Sequence, residues 1–285
     1  MSKRTGIMLA SMFTEKLFNK MEKPVLVQAK IEGDRLRAKI TPEDIRLLSS
    51  GCKEIISVPH IGDEIAKSKL MNIELDGELY RHGMRHSEIR SIVSRTKNIH
   101  PDHKLIQYHV FDVVASNKQY ERSRYLGKIF KKYNFRYLKY VPVYQVYTLE
   151  GLQRYYDAFV TQGYEGVIIR EYKAGYKRRK VSTLLKLKPR VSESFSIIDV
   201  EEEKSIEGEP KGTFGSFTCV TYGNEWFSVG SGPTDNQRNL LWKHREYFIG
   251  ETIKIRFQDY TKVRGVPKMQ SIDKDWLKDV EAKLK

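Results

Sequence analysis

The chain has 285 residues, enough for one large domain or two smaller ones, and its 40% apolar content supplies a real core. Its 51 Lys and Arg outnumber 36 Asp and Glu, and the resulting charge of +15 favours polyanionic partners. No apolar run reaches transmembrane length and no secretory signal is evident, while Cys52 and Cys219 lie too far apart for a metal motif, so free thiols in a reducing cytoplasm are expected.

The elements follow in chain order. Met8 to Phe13 with Leu17 and Phe18 has the apolar spacing of a short amphipathic helix. Pro24 precedes a predicted strand, Val25 to Ala29, on which Gln28 and Lys30 share one face and Val27 and Ala29 the other. Gly33-Asp34 reads as a tight turn, with Arg35 to Ile40 running back as the second strand of a hairpin. Thr41 to Asp44 is a turn or a helix start, and Leu47 to Gly51 is a short loop. Ile73 to Leu79 is a strand with Glu74, Asp76 and Glu78 on one face. The Arg- and His-rich stretch Tyr80 to His86 reads as a solvated basic loop, because His82 and His86 have no clear third metal ligand. A helix is expected from Ser87 to Arg95 and a strand from Tyr108 to Val114.

Ser116 to Tyr133 is a basic helical region carrying Arg122, Arg124, Lys128, Lys131 and Lys132. A phosphate-facing surface and an ordinary solvated face fit it equally. Tyr137 to Tyr147 is a β-branched and aromatic strand, and Leu149 to Gln162 an amphipathic helix. Glu165 to Arg170 and Leu184 to Lys188 are strands, the latter with Lys186 and Lys188 on one face. Between them, Lys173, Lys177, Arg178, Arg179 and Lys180 crowd one short loop, more basic residues than solubility alone explains, so the loop is read as a contact to a polyanion.

Pro189-Arg190 marks a boundary, dividing residues 1–190 from 191–285. Beyond it come short strands, Phe195 to Glu202, Phe214 to Tyr222, Trp226 to Val229 and Thr252 to Asp259, with a helix from Asp235 to Tyr247. That pattern fits an OB-fold barrel.

Five stretches of the first segment share one device: each places charged or aromatic groups on a polar side and apolar groups toward a core. Together they offer lysines, carboxylates and an aromatic platform, which suits a nucleotide with a divalent metal. In order and spacing they resemble the covalent nucleotidyltransferases, specifically the small ATP-dependent DNA ligases. Lys30-Ile31-Glu32-Gly33-Asp34-Arg35 is similar to motif I, Asp76-Gly77-Glu78-Leu79 to motif III, Phe111-Asp112 to motif IIIa, Glu165 to Arg170 to motif IV, and Leu184 to Lys188 to motif V.

The resemblance implies an α+β fold: a nucleotidyltransferase (adenylation) domain of antiparallel sheets with flanking helices, then a β-barrel OB-fold domain. It implies a monomeric ligase sealing nicks in duplex DNA with ATP and Mg²⁺ or Mn²⁺, through AMP bound covalently to Lys30. Arg35 would hold ribose or phosphate. Glu78 would contact ribose or metal, Glu165 would bind metal, and Phe111 would stack on adenine. Lys186 and Lys188 would contact the α-phosphate, and Gln28 would accept from adenine N6.

The chain also departs from the family pattern. Gln28 and Glu32 replace the usual Glu and Asp, and Ser50 stands where a short Ser-Arg-x-Gly element has its arginine. Lys262 to Lys268 resembles the turn before the last strand, and Ser271-Ile272-Asp273-Lys274 is a motif VI candidate lacking its arginine. Three rival readings stand: an RNA ligase, an mRNA guanylyltransferase, and a non-catalytic nucleic-acid-binding OB protein.

Overall fold

In a computed structural model, describing residues 6–257, 259–261, 264–268 and 270–284, the strand that ends in Lys30 lies within one of two five-stranded sheets. Both sheets belong to the first of two units, Met1–Lys188. Its elements are β1 (Leu9–Met12), α1 (Glu15–Lys20), β2 (Val25–Lys30), β3 (Asp34–Ile40), β4 (Ile45–Ser49), α2 (Pro59–Ser68), β5 (Ile73–Tyr80), α3 (His86–Val93), β6 (Gln107–Val113), α4 (Gln119–Lys132), β7 (Leu138–Tyr140), β8 (Tyr144–Val146), α5 (Leu149–Thr161), β9 (Gly166–Glu171) and β10 (Lys180–Leu187). One sheet runs β1-β10-β9-β2-β8, the other β4-β3-β5-β6-β7.

Strand alternation sets the two faces of each sheet. Val25 and Val27 of β2 and Val167 and Ile169 of β9 face a core shared with Phe18 of α1 and Leu152 and Phe159 of α5. Leu36, Leu75, Leu79, Tyr108 and Val110 of the other sheet pack with Ile61 and Ile65 of α2, Ile89 of α3 and Leu126 of α4. Each buried aliphatic side chain of this kind contributes about 1.5–3 kcal/mol. The alternate residues, Gln28 and Lys30 on one sheet and Arg35 and Glu78 on the other, line a cleft instead.

The expected hairpin of β2 with β3 is not formed. The edges of β2 pair with β8 and β9, those of β3 with β4 and β5, so Ile31 to Gly33 carries the chain from one sheet to the other. A Cβ at Gly33 would lie 2.1 Å from the Leu79 carbonyl oxygen, so glycine is required there by close backbone approach.

Three other expectations are corrected. Leu9–Met12 is a strand, because its backbone pairs in parallel with β10, Leu9 opposite Lys180. Only Glu15–Lys20 is helical, with the Thr14 hydroxyl accepting from the Leu17 N–H at 3.2 Å; Met1 to Thr5 lie outside the described residues. Tyr137 to Tyr147 breaks at Val141-Pro142 into β7 and β8, which join different sheets. Leu47 to Ser49 belongs to β4 rather than to a loop.

The second unit, Pro189–Lys285, has its own core around Phe195, Phe214, Phe217, Phe248, Ile255 and Phe257. Its elements are β11 (Val191–Lys204), β12 (Pro210–Val220), β13 (Trp226–Val229), α6 (Asp235–Lys243), β14 (Thr252–Phe257), β15 (Asp259–Tyr260), β16 (Pro267–Lys268), β17 (Ser271–Ile272) and α7 (Lys274–Leu284). Five strands form a sheet in the order β13-β12-β11-β14-β17, and among the described residues no pairing closes it into a barrel. Asp273, within the motif VI candidate, caps α7: its Oδ1 accepts from the Asp275 N–H at 3.0 Å. The expected turn from Lys262 to Lys268 falls partly outside the described residues, at Lys262 and Val263.

Candidate active site

A cleft of about 660 Å³ is walled by both sheets of the first unit. Gln28, Lys30, Ile168, Arg170, Leu184 and Lys186 come from one sheet, Arg35, Glu78 and Phe111 from the other. A slip in the β5–β6 register exposes Phe111 to it. Val110 pairs with Gly77 and Asp112 with Asp76, so Phe111 is the extra residue of a bulge, which re-aims a side chain.

Lys30 is the last residue of β2 and stands opposite Gly166. Its Nζ pairs with one oxygen of Glu165, whose other oxygen takes the Lys188 Nζ. The backbone permits this convergence. Glu165 N–H donates to the Lys30 carbonyl at 2.9 Å, and a Cβ at Gly166, where φ is +141°, would lie 2.2 Å from the Leu187 carbonyl oxygen. Burial holds the Lys30 amine below the usual lysine range, against the opposing pull of Glu78 and Glu32. A depressed amine pKa raises the fraction able to attack an electrophile.

Across the cleft, Arg35 stands opposite Glu78 in the ladder. Its Nε and Nη2 donate to the two oxygens of buried Asp76 at 2.7 and 2.6 Å, and its guanidinium lies 4.6 Å from the Phe111 ring centroid. Burial pushes the Glu78 carboxyl up to about 7, with Arg35 and Lys30 pulling the other way. Asp34 accepts from Arg90 of α3 at 2.6 Å, with His86 Nε2 at 3.9 Å.

Beside the cleft lies a buried polar network that sequence reasoning did not foresee. Asp112 takes Arg122 Nε at 2.9 Å and Arg170 Nη1 at 2.8 Å. Arg170 Nε donates to Gln28 Oε1 at 2.7 Å, and Gln28 Nε2 donates to the carbonyls of Phe111 and Val141. Gln28 thus borders the cleft with both ends of its amide engaged by protein. Arg122, expected among the exposed basic residues of its helix, is only 2% exposed. Helical periodicity alone cannot reveal a partner ten positions upstream on a strand.

The basic loop is partly tied down. Arg178 pairs with Glu74 at 2.6 Å and donates to the Gly6 carbonyl, while Lys173 pairs with Glu22. The Tyr176 hydroxyl donates to Asp76 at 2.6 Å and accepts from the Met8 N–H at 3.0 Å. Lys177, Arg179 and Lys180 are exposed. Among the described residues no group of three His, Cys, Asp or Glu could hold a metal; His82 instead bonds the Tyr80 hydroxyl. No helix among them is long and apolar enough to cross a membrane.

The sequence matches the ATP dependent DNA ligase domain over residues 7–188 and the DNA ligase OB-like domain over 207–273. It is 29% identical over 272 residues to a DNA ligase of African swine fever virus, covering 88% of this chain and 63% of that protein. The chain therefore spans less than two thirds of that relative's length. Two solved structures are similar: a Lig E DNA ligase (19% identity, 94% of this chain, 98% of that chain, TM-score 0.63) and the Chlorella virus DNA ligase-adenylate (21%, 95%, 97%, 0.54). The fold is accordingly the expected α+β nucleotidyltransferase architecture followed by an OB-like domain.

Proposed function

This chain belongs to the ATP-dependent DNA ligase family, and from that premise we propose that it seals nicks in duplex DNA with ATP, carrying AMP on Lys30. The observation that supports this best is Lys30 itself: a desolvated amine at the junction of two sheets, beside Glu165 and in one cleft with Phe111, Arg35 and Lys186.

In the proposed first step the neutral amine attacks the α-phosphorus of ATP. A nitrogen–phosphorus bond forms, the bond to pyrophosphate breaks, and the amine's proton passes to solvent. Lys186 and Lys188 offset charge on the α-phosphate, Phe111 stacks on adenine, and Arg35, held by Asp76, fixes the ribose or phosphate. An oxygen of the DNA 5′-phosphate then attacks the AMP phosphorus, the nitrogen–phosphorus bond breaks, and Lys30 leaves as the amine after taking a proton from solvent. Finally the 3′-hydroxyl attacks the 5′-phosphate and expels AMP. Gln28 keeps one lone pair on Oε1 beyond the Arg170 contact, which suits acceptance from adenine N6.

Glu78 and Glu165 fit a share in holding Mg²⁺ or Mn²⁺, since two carboxylates beside the amine are part of a hard-oxygen set that nucleotide phosphates and water complete. A bound cation there supplies neutralisation of phosphate charge. Residues 1–190 would act as the adenylation domain and 191–285 as an OB domain contacting DNA. Lys173, Lys177, Arg178, Arg179 and Lys180 would meet the phosphate backbone of a nicked duplex bound by a monomer.

The test uses ATP labelled at the α-phosphate, with Mg²⁺ and a denaturing gel. The wild type should take an acid-labile label that Lys30→Ala does not, and nicked DNA should chase it from the protein. Labelling of Lys30→Ala, or labelling from GTP in preference to ATP, would sink the reading.

A further inference from the structure

We propose that Arg90, with His86 on the same helix, forms a second phosphate subsite in the cleft. It would take a phosphoryl group other than the one next to Lys30. The source is either the 5′-phosphate of a nucleic-acid strand or the terminal phosphates of ATP, and the subsite rests on the ligase reading above.

The placement is specific. His86 and Arg90 lie four residues apart on α3, one helical turn, so both present to the same side. Both line the cleft that holds Lys30 and Arg35. Asp34 accepts from Arg90 Nη1 at 2.6 Å, and His86 Nε2 lies 3.9 Å from the same carboxylate oxygen. That single contact orients the guanidinium and leaves most of its five N–H donors unspent. Arg35 is steered in the same way by Asp76. The cleft therefore holds three arginines, each aimed by a buried or half-buried aspartate, Arg170 by Asp112. An arginine fork matches the tetrahedral oxygens of phosphate better than a lysine does.

Charge supports an anion there. Lys30, Lys186, Arg35, Arg90 and Arg170 line the cleft against only two carboxylates, Asp34 and Glu78. Arg170 is spent on Asp112, and Arg35 on Asp76. The Arg90 side chain is 61% exposed, so its guanidinium can meet an incoming group without unpacking the core. Ser50 also lines the cleft and brings no charge.

The experiment compares the full chain with Arg90→Ala and Arg90→Lys in EDTA, at moderate salt. Fluorescence anisotropy reads affinity for nicked duplexes with a 5′-phosphate or a 5′-hydroxyl at the nick. A parallel titration compares ATP with AMP. If the strand end is the ligand, Arg90→Ala should erase about tenfold of preference for the 5′-phosphate, the scale of one charge-assisted contact, and Arg90→Lys should keep part of it. If the nucleotide tail is the ligand, the same loss should fall on the ATP-to-AMP ratio. The subsite is refuted if the wild type shows neither preference, if neither ratio moves, or if all four ligands weaken equally. These are binding ratios, so they judge Arg90 even if the wild type takes no label from ATP, the result that removes the ligase reading itself.

Discussion

Glu165 gives one carboxylate oxygen to Lys30 and the other to Lys188. One acid, just ahead of β9, thus holds two ammonium groups from the ends of the strands on either side of it, β2 and β10, all three less than a third exposed. Any cation that binds Glu165 must compete with this pairing. Glu165→Ala should therefore raise the Mg²⁺ concentration giving half-maximal Lys30 labelling about tenfold, a loss near 1.4 kcal/mol. Mg²⁺ titrations of labelling rate decide it; an unchanged midpoint removes Glu165 from the metal site.

Glu78 should make stability depend on pH. Its folded pKa of about 7 lies above the ordinary carboxyl value of 4.5, because burial disfavours the charged form. The folded state then holds the proton more tightly than the unfolded one, so this group's contribution is full below about 4.5 and is lost as pH rises through about 7. Glu78→Gln should gain stability relative to wild type between pH 5 and 8, by about 1–2 kcal/mol after allowing for partial solvent access. Thermal melts of both proteins across that range measure it. A difference independent of pH would show that Glu78 does not titrate there.

Among the described residues, Asp112 is the one carboxylate paired with both of two buried arginines, Arg122 and Arg170. Removing it leaves both charges uncompensated, which costs about 3–5 kcal/mol. Asp112→Ala should lower Tm by roughly 10 °C. Asp112→Asn, which keeps an acceptor oxygen, should lose less. A loss under about 1 kcal/mol for the alanine variant would mean that water or another group replaces the carboxylate.

The basic loop divides by its partners. Lys177, Arg179 and Lys180 have no ion pair among the described residues, whereas Lys173 and Arg178 pair with Glu22 and Glu74. Replacing the first three by alanine should flatten the plot of log affinity for nicked duplex against log salt by about 2–3 units, near 0.9 per phosphate contact. Replacing Lys173 alone should change the slope by less than one such contact. Equal effects would mean that the pairings open on DNA.

The sequence determined by itself whatever depends on near neighbours. Two-residue alternation placed Gln28 and Lys30 on one face of β2, and Glu74, Asp76 and Glu78 on one face of β5, as the structure has them. The amphipathic spacing that predicts Leu149 to Gln162 ends within one residue of α5. The Thr234–Gln237 capping box opens α6 at Asp235, where the helix was expected to begin. Strand partners were another matter, because pairing is chosen by backbone edges far apart in the chain. Only the tertiary structure separated β2 from β3, split Tyr137 to Tyr147 between two sheets, and made Leu9–Met12 a strand by laying it against β10. It alone joined Gln28, Asp112, Arg122 and Arg170, residues up to 142 positions apart, into one buried network. It also brought Arg90 to Asp34, 56 positions away. A single sequence shows which face a charge occupies; which opposite charge it meets depends on how two sheets pack around a cleft.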